Sequence, residues 1–258
     1  MKQSTFVAVL VFSAMTAAIV IYMFVLGDPS NFSDGEGRQK PLNLMGQVHT
    51  GGFVVPVLMT LSIMVVTFAV ERFLSLRKAQ GRGPLATFLK TVQRSLATGD
   101  VDAAITACDQ QRGSLANIIR EGLERYKSTS NDKSLDPSKQ MLEVQRAIEE
   151  ATSLEMPILE RNLIALSTIA SVSTMFGLFG TVLGMIRAFK ALAQAGAPDA
   201  IALSIGISEA LINTALGLFA AIIGIVAYNF FINKVDTFTY MIDEASYEVV
   251  QTLTTRNK

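Results

Sequence analysis

A lone carboxylate in an apolar stretch is the residue of this sequence with the clearest chemical consequence. Glu209 lies in the run ISEALINTALGLFAAIIG, within an apolar stretch from Ile201 to Ile232 that is long enough to cross a bilayer. A charged side chain in hydrocarbon costs about 2.5–3.5 kcal/mol on insertion scales, so it is kept where it faces a protein interior or a water-filled path. Glu209 therefore indicates either a bond to a neighbouring helix or subunit, or direct carriage of protons.

Small residues recur at helical spacing in the two most C-terminal apolar segments. The two stripes are Ser167, Ala170, Thr174, Gly177, Thr181, Gly184 and Ala188, and then Ala210, Thr214, Gly217, Ala221, Gly224 and Tyr228. Small residues let the backbones of membrane helices approach closely, and hydroxyl groups can bond across the gap. The pair Gly180 and Gly184 has the G-x-x-x-G spacing of close helix packing. The stripes therefore predict that these two segments pack tightly against other helices.

Counting from the intervening turn predicts which residues lie at the same depth. In an antiparallel hairpin that turns near Ala197, Thr181 lies 16 residues before the turn and Thr214 lies 17 residues after it. At equal rise per residue, the two hydroxyls reach about the same level of the membrane. Around a ring of subunits they would form a polar collar for a charged guest, whereas tight packing alone requires no pore. Glu209 lies about 100° around the helix from Ala210, near the small stripe but not on it.

Composition places the chain among membrane proteins and excludes several functions. Half of the 258 residues are apolar, 17% are charged and the formal net charge is zero. The composition is that of a membrane protein, and the charge balance gives no electrostatic basis for nucleic-acid binding. Cys108 is the only cysteine and His49 the only histidine, so neither a disulfide nor a metal site is expected. We expect His49 to be a solvated or interface residue of a polar loop, and we expect no cofactor.

Four segments reach the length of about 20 apolar residues that a transmembrane helix requires. They are Phe6–Leu26, Phe53–Leu74, Leu163–Ala188 and Ile201–Ile232. The first has a longer apolar run than a secretory signal and no small-x-small cleavage site after Leu26, so we expect a retained helix.

Charges in the loops predict the orientation. Six basic residues crowd the stretch from Arg72 to Arg94, whereas residues 27–52 mix acidic and basic side chains. The positive-inside rule then places residues 75–157 and both chain termini in the cytoplasm. The segment Leu192–Ala200 becomes a short external turn.

The cytoplasmic segment has helical periodicity. Its amphipathic faces are Leu85, Phe88, Leu89, Val92 and Leu96, and then Leu115, Ile118, Ile119, Gly122 and Leu123. Asp136 followed by Pro137 marks a helix start, and the polar residues Lys127–Lys133 are predicted to form a loop. Pro157 either opens the third span or kinks a longer helix. The carboxylates of this segment alternate with arginines, which is typical of a solvated helical face rather than an active site.

Two long motifs resemble a known family. They are GLFGTVLGMIRAF at 177–189 and ISEALINTALGLFAAIIGIVAYNFF at 207–231, and they resemble the two pore helices of the ExbB/TolQ/MotA proton-channel family, nearest to its ExbB and TolQ branch. The likeness is weaker over TGDVDAAITACDQ at 98–110 and over ERF at 71–73. Arg187 departs from this pattern, because a polar uncharged residue is common there, and Gly224 lies near a position where some members have proline.

The resemblance implies an all-α integral membrane protein that assembles as a homopentamer around a central pore. The implied partner is a single-span protein similar to ExbD, TolR or MotB, whose membrane aspartate lies in the pore, and a TonB-like protein is a further candidate. Thr181, Thr214 and Glu209 match the family's polar pore positions. The glycines of the implied pore-helix packing are Gly177, Gly180, Gly184, Gly217 and Gly224.

The expected organisation is three family spans plus an extra N-terminal helix. The expected segments are 1–52 (first span and periplasmic loop), 53–74 (second span), 75–157 (cytoplasmic domain), 158–235 (pore hairpin) and 236–258 (C-terminal helix). We expect a non-enzymatic subunit in the bacterial inner membrane that couples proton motive force to mechanical work. The alternatives are a MotA-like or gliding-type motility stator, which the four spans favour, and a non-conducting helical scaffold. A secondary transporter would require internal repeats with broken helices, which the sequence lacks.

Overall fold

Helices form the architecture of the chain in a computed structural model that describes residues 3–37, 40–130, 136–193 and 199–256. Within these ranges no β-strand is present, and four helical stretches are long and apolar enough to cross a membrane. The predicted all-α class and the four spans are therefore confirmed.

The helices follow one another with short connections. In chain order they are α1 (Gln3–Val20, continued by a π-helical segment at Ile21–Leu26), α2 (Leu44–His49), α3 (Val54–Ala79), α4 (Leu85–Thr98), α5 (Val101–Gln111), α6 (Ser114–Ser130), α7 (Pro137–Glu160), α8 (Leu163–Leu192) and α9 (Ala200–Arg256). They divide between two compact units, of which the first comprises residues 1–70 and 164–229 and the second residues 71–163 and 230–258.

Helix α9 continues far beyond the predicted end of the fourth span at Ile232. The sequence after Gly224 contains no glycine or proline, so no residue interrupts the helix before Arg256. Apolar side chains also continue at spacings of three and four. Those buried in the second unit are Phe231, Val235, Phe238, Ile242, Ala245, Val249 and Leu253. Residue 236 is therefore not a helix boundary.

The second unit also contains the amphipathic helices predicted between the spans. The predicted apolar face of α6 is fully buried, and that of α4 is buried at Phe88, Val92 and Leu96. Gly99 ends α4 in the left-handed conformation with φ of 87°, and the Asp100 side chain then caps α5. Burial raises the pKa of the Cys108 thiol to about 12, so at neutral pH it remains protonated and is a poor nucleophile or metal ligand.

Two local predictions in the connecting regions are wrong. Residues Lys127 to Ser130 are the last turn of α6 and not a loop, because buried Tyr126 and Thr129 continue its buried face. The rest of that predicted loop lies outside the described residues, as does most of the predicted turn at 192–200. His49 ends helix α2 and stacks on Tyr22 with ring centroids 4.5 Å apart, so it is not in a loop.

The structure decides between the two alternatives for Pro157. This residue lies inside α7, and the next helix begins only at Leu163. Pro157 is therefore part of a longer helix and does not open the third span.

The break between α7 and α8 is closed by side chains from the end of the second span. Asn162 has φ of 61°, which turns the chain after α7 ends. Arg72 is 1% exposed, and its Nη1 donates to the Leu159 carbonyl at 3.4 Å. Glu71 accepts from Arg72 at 2.7 Å and from Asn162 Nδ2 at 3.1 Å. Arg72 thus satisfies a carbonyl that the end of α7 leaves without a helical partner, and Glu71 holds both Arg72 and Asn162, which gives the first two residues of the ERF motif a structural role.

Candidate functional site

Helices α8 and α9 pack with their backbones in direct contact. A Cβ atom built on Gly217 would lie 2.7 Å from Gly177 Cα, and one built on Gly184 would lie 2.6 Å from the backbone nitrogen of Ala210. Real Cβ contacts are longer than 3 Å, so a side chain at either position would force the helices apart. A Cβ on Gly224 would similarly meet Ala170 at 2.9 Å. The stripe glycines of each helix therefore contact small residues of the other helix, in line with the predicted tight packing.

The close approach brings two hydroxyls of the hairpin together. The Oγ1 atoms of Thr181 and Thr214 form a hydrogen bond across the α8–α9 interface. Each hydroxyl also lies 3.2 Å from a carbonyl oxygen of its own helix, that of Gly177 for Thr181 and that of Ala210 for Thr214. The predicted common level of the two threonines is confirmed. Both side chains are only partly buried within one chain.

Glu209 forms an ion pair that joins the same two helices. Its carboxylate oxygens both lie 2.7 Å from Nη1 of Arg187 on α8. The Glu209 side chain is 2% exposed, whereas that of Arg187 is 53% exposed. The carboxylate is therefore buried beneath a guanidinium that still reaches solvent.

Asn213 lies one helical turn beyond Glu209 and is completely buried. Its Nδ2 donates to the carbonyl of Gly51 at 2.9 Å, which ties α9 to the turn before α3. Gly180 leaves the space that the amide fills, because a Cβ there would lie 2.8 Å from Nδ2. The Oδ1 atom of Asn213 is buried and has no hydrogen-bond partner among the residues that the structure describes.

The turn before α3 covers the Glu209 carboxylate from a second side. Gly52 has φ of 73°, a left-handed conformation that favours glycine. A Cβ on Gly52 would lie 2.8 Å from Glu209 Oε1 and 3.4 Å from Arg187 Nη1. Glycine is thus required at this position both by the backbone conformation and by the space that the ion pair occupies.

An open cleft of about 460 Å³ leads to the ion pair. Its polar lining comes from His49, Thr50, Arg187, Asp199 and Glu209. Asp199 Oδ1 accepts from the backbone nitrogens of Ile201 and Ala202 at 3.0 Å, so it caps the start of α9. No group of three or more His, Cys, Asp or Glu side chains that could hold a metal ion is found in the part of the chain that the structure describes.

Sequence reasoning identified Thr181, Thr214, Glu209 and the five glycines, and the structure brings all of them to the α8–α9 interface. It missed Asn213 and the Gly51–Gly52 turn, and it treated Arg187 only as a departure from a motif. One signal was available, because Arg187 and Glu209 lie at nearly equal distances in sequence from the predicted turn, as the two threonines do. The contact of Asn213 with Gly51 joins residues 162 positions apart and has no local signal.

These features define a class of protein: an all-helical, multi-pass membrane protein whose last two spans hold hydroxyl, amide and charged groups at their interface. The model of the MotA/TolQ/ExbB proton channel family matches residues 110–244, just over half of the chain, and the chain belongs to this family. The match covers α8 and the membrane part of α9.

Several named relatives have similar sequences. The chain is 41% identical to the Tol-Pal system protein TolQ of Pseudomonas aeruginosa over 114 residues, which are 44% of this chain and 49% of that protein. It is 31% identical over 200 residues to a putative biopolymer transport protein ExbB homolog of Methanothermobacter thermautotrophicus, covering 76% of this chain and 66% of the relative. It is 28% identical over 204 residues to the biopolymer transport protein ExbB of Neisseria meningitidis, covering 77% of this chain and 89% of that protein. The TolQ match thus spans about half of that relative's length, and these names place the chain near the ExbB and TolQ branch.

The contact between Gly52 and Glu209 gives a test with a matched control. Gly52→Ala should lower the apparent unfolding temperature in detergent more than Gly35→Ala does. Both glycines have positive φ, so both substitutions cost about 1 kcal/mol of backbone strain. A Cβ on Gly35 has no atom within 4 Å, whereas one on Gly52 meets the Glu209 carboxylate. Equal shifts in the two variants would contradict the described packing of the ion pair against this turn.

Proposed function

We propose that this chain is an ExbB/TolQ-like subunit of a bacterial inner-membrane proton channel that couples proton motive force to mechanical work. The observation that carries the proposal is the Thr181–Thr214 hydroxyl pair in the interface of two membrane-spanning helices. The energised process is proposed to be outer-membrane transport or envelope maintenance, in line with the names of the TolQ and ExbB relatives.

The hydroxyl pair has the chemistry that a proton path requires. Each threonine can donate its proton either to the other hydroxyl or to a carbonyl of its own helix. The direction of the hydrogen bonds can therefore reverse without movement of heavy atoms. Such a pair can stabilise a protonated or charged guest at its level of the membrane, although it cannot itself hold a net charge at neutral pH.

The work output in this proposal comes from charge movement rather than covalent catalysis. Moving one charge through 100 mV releases about 2.3 kcal/mol, so a few protons per step can drive a conformational change. The proposed path includes Glu209 as the charged residue nearest to the hydroxyl pair along α9. The chain is accordingly proposed to be non-enzymatic and to need no cofactor.

The proposed assembly is a homopentamer whose pore holds the spanning helices of a partner. That partner is an ExbD-, TolR- or MotB-like single-span protein with an aspartate in the membrane, and a TonB-like protein is a further candidate. Two observations support an assembly. The Thr181 and Thr214 side chains remain partly exposed, and large apolar side chains cover other faces of α8, including those of Phe179, Val182 and Ile186. These faces are available to lipid or to further helices.

Two alternatives each have one supporting observation. A motility stator is favoured by four candidate spans rather than three. A non-conducting scaffold is favoured by the glycine contacts, because direct backbone packing of α8 and α9 explains the small stripes without a pore. In the scaffold, the Glu209 ion pair and the hydroxyl pair would only hold helices together.

The proposed topology places both termini and residues 75–157 in the cytoplasm, with residues 1–52 forming the first span and a periplasmic loop. In a Cys108→Ser variant, Ser33→Cys should react with an impermeant maleimide added to spheroplasts, whereas Lys90→Cys should react only after lysis. Both positions are exposed in the structure, so burial does not account for the difference. Labelling of Lys90→Cys in intact spheroplasts would invert the proposed topology.

Removal of either hydroxyl tests the proton path itself. Thr181→Ala and Thr214→Ala should each lower proton flux by about tenfold or more, because each removes a proton donor and acceptor without adding bulk. The oligomer should remain intact. Flux is measured in proteoliposomes that contain the chain and its single-span partner, and assembly is measured by native mass spectrometry. Thr168→Ala is the matched control, because Thr168 is an exposed α8 residue that bonds only within its own helix. Wild-type proton flux in both hydroxyl variants would refute the polar collar formed by Thr181 and Thr214.

A further inference from the structure

The Arg187–Glu209 pair has an asymmetry that a simple structural ion pair does not need. The carboxylate is 2% exposed and the guanidinium 53% exposed, although the two are bonded to each other. Only Nη1 of Arg187 contacts Glu209, while Nε and Nη2 have no protein partner among the described residues. The guanidinium can therefore leave the carboxylate and be solvated in the cleft, whereas the carboxylate cannot leave its buried position.

Other parts of the chain cover the Glu209 side chain on two further sides. Gly52 covers Oε1 on the side of the turn before α3. The Ala210 and Gly206 backbones are in contact with Gly184, which closes the interface between the two helices. The other acidic side chain of the cleft, Asp199, is engaged by two backbone nitrogens of α9. The side chain that bonds to the Glu209 carboxylate at the cleft is thus Arg187, and both residues belong to the cleft lining.

Beyond Glu209, polar groups continue toward the hydroxyl pair. Asn213 follows one turn later on α9, and its buried Oδ1 lacks a hydrogen-bond donor within the described part of the chain. An unsatisfied buried acceptor of this kind is commonly served by an ordered water. Thr214 is the next residue, and its hydroxyl bonds to Thr181. Along α9, Glu209 therefore lies between an open cleft and two further levels of polar groups, the buried Asn213 and the partly buried hydroxyl pair.

We infer that Arg187 is a gating residue for Glu209. With the guanidinium in place, Glu209 is ionised and closed off from the cleft. When the guanidinium swings into the cleft, a proton from water adds to one Oε of Glu209, and the net charge of the pair changes from zero to +1, carried by Arg187. In this way Arg187 prevents protonation of Glu209 from the cleft until the assembly performs mechanical work. This inference rests on the proposed function and adds the residue that controls access to its path.

Proton leak through the chain alone tests the gate. The full chain is reconstituted without a partner into phosphatidylethanolamine–phosphatidylglycerol vesicles, and leak is measured with an internal pH-sensitive dye under a valinomycin-imposed potassium potential. Arg187→Gln should raise the leak by about tenfold or more over wild type, the effect expected when the coupling of a close charge pair is lost. Lys190→Gln removes an exposed cation of the same helix and should leave the leak unchanged.

A second substitution separates a gate from general loosening of the structure. Arg187→Gln with Glu209→Gln should return the leak to the wild-type value, because the amide cannot titrate. A static ion pair predicts no added leak in Arg187→Gln, and general loosening predicts a leak that persists in the double variant. Either result overturns the gate. If Arg187→Gln does not fold, the variant Arg187→Lys is measured instead. Its proton leak should exceed that of Lys190→Gln. Equal leaks in these two variants would overturn the gate.

The same assay distinguishes failure of the gate from failure of the proposed path. In Arg187→Gln with Thr181→Ala, the leak should fall if protons that enter at Glu209 pass the hydroxyl pair. A leak that remains high in this variant but disappears with Glu209→Gln would preserve the gate and refute the route through the threonines.

Discussion

The backbone contact between α8 and α9 is the constraint on which the rest of the candidate site depends. Gly177 meets Gly217, and Gly184 meets the backbone at Gly206 and Ala210, so the two helices approach as closely as their main chains allow. At this separation short side chains reach across the interface, and the two threonine hydroxyls bond directly. Larger residues at these glycines would separate the helices and break the polar contacts together. The stripes of small residues thus allow the two helices to pack closely, and this close packing creates a set of polar contacts between the spans.

The polar contacts of the hairpin are arranged in order of depth. The Arg187–Glu209 pair lies beside the cleft, Asn213 follows one turn along α9, and the hydroxyl pair comes next. Two of these levels also involve the turn before α3, since Asn213 bonds to Gly51 and Gly52 covers Glu209. Three segments from distant parts of the sequence therefore hold the charged end of the site. This arrangement explains why a costly buried carboxylate is stable there, because it is paired, enclosed and fixed in orientation.

The sequence predicts this structure well where local periodicity decides it. Apolar length identified the spans, the three-and-four spacing identified the buried faces of α4 and α6, and counting from the turn brought Thr181 and Thr214 to one level. Predictions failed where tertiary contacts override local polarity. The end of α6 remains helical because Tyr126 and Thr129 are buried, and α9 continues because its apolar stripe finds partners after the predicted span ends. The roles of Arg72 and Asn213 depend on partners far away in the sequence, and no local pattern reports such contacts.

Disulfide formation between α8 and α9 tests the close hairpin most directly. Because the two hydroxyls bond to each other, cysteines at these positions would bring their sulfur atoms side by side, as a disulfide requires. In a Cys108→Ser background, Thr181→Cys with Thr214→Cys should form a disulfide within one chain upon mild oxidation in membranes. Val182→Cys with Thr214→Cys should not, because Val182 is 57% exposed on another face of α8. Intrachain cross-linking of the first pair alone, read from intact mass and non-reducing gels, is the predicted result. Dimers linked between chains, or no cross-link at all, would contradict it.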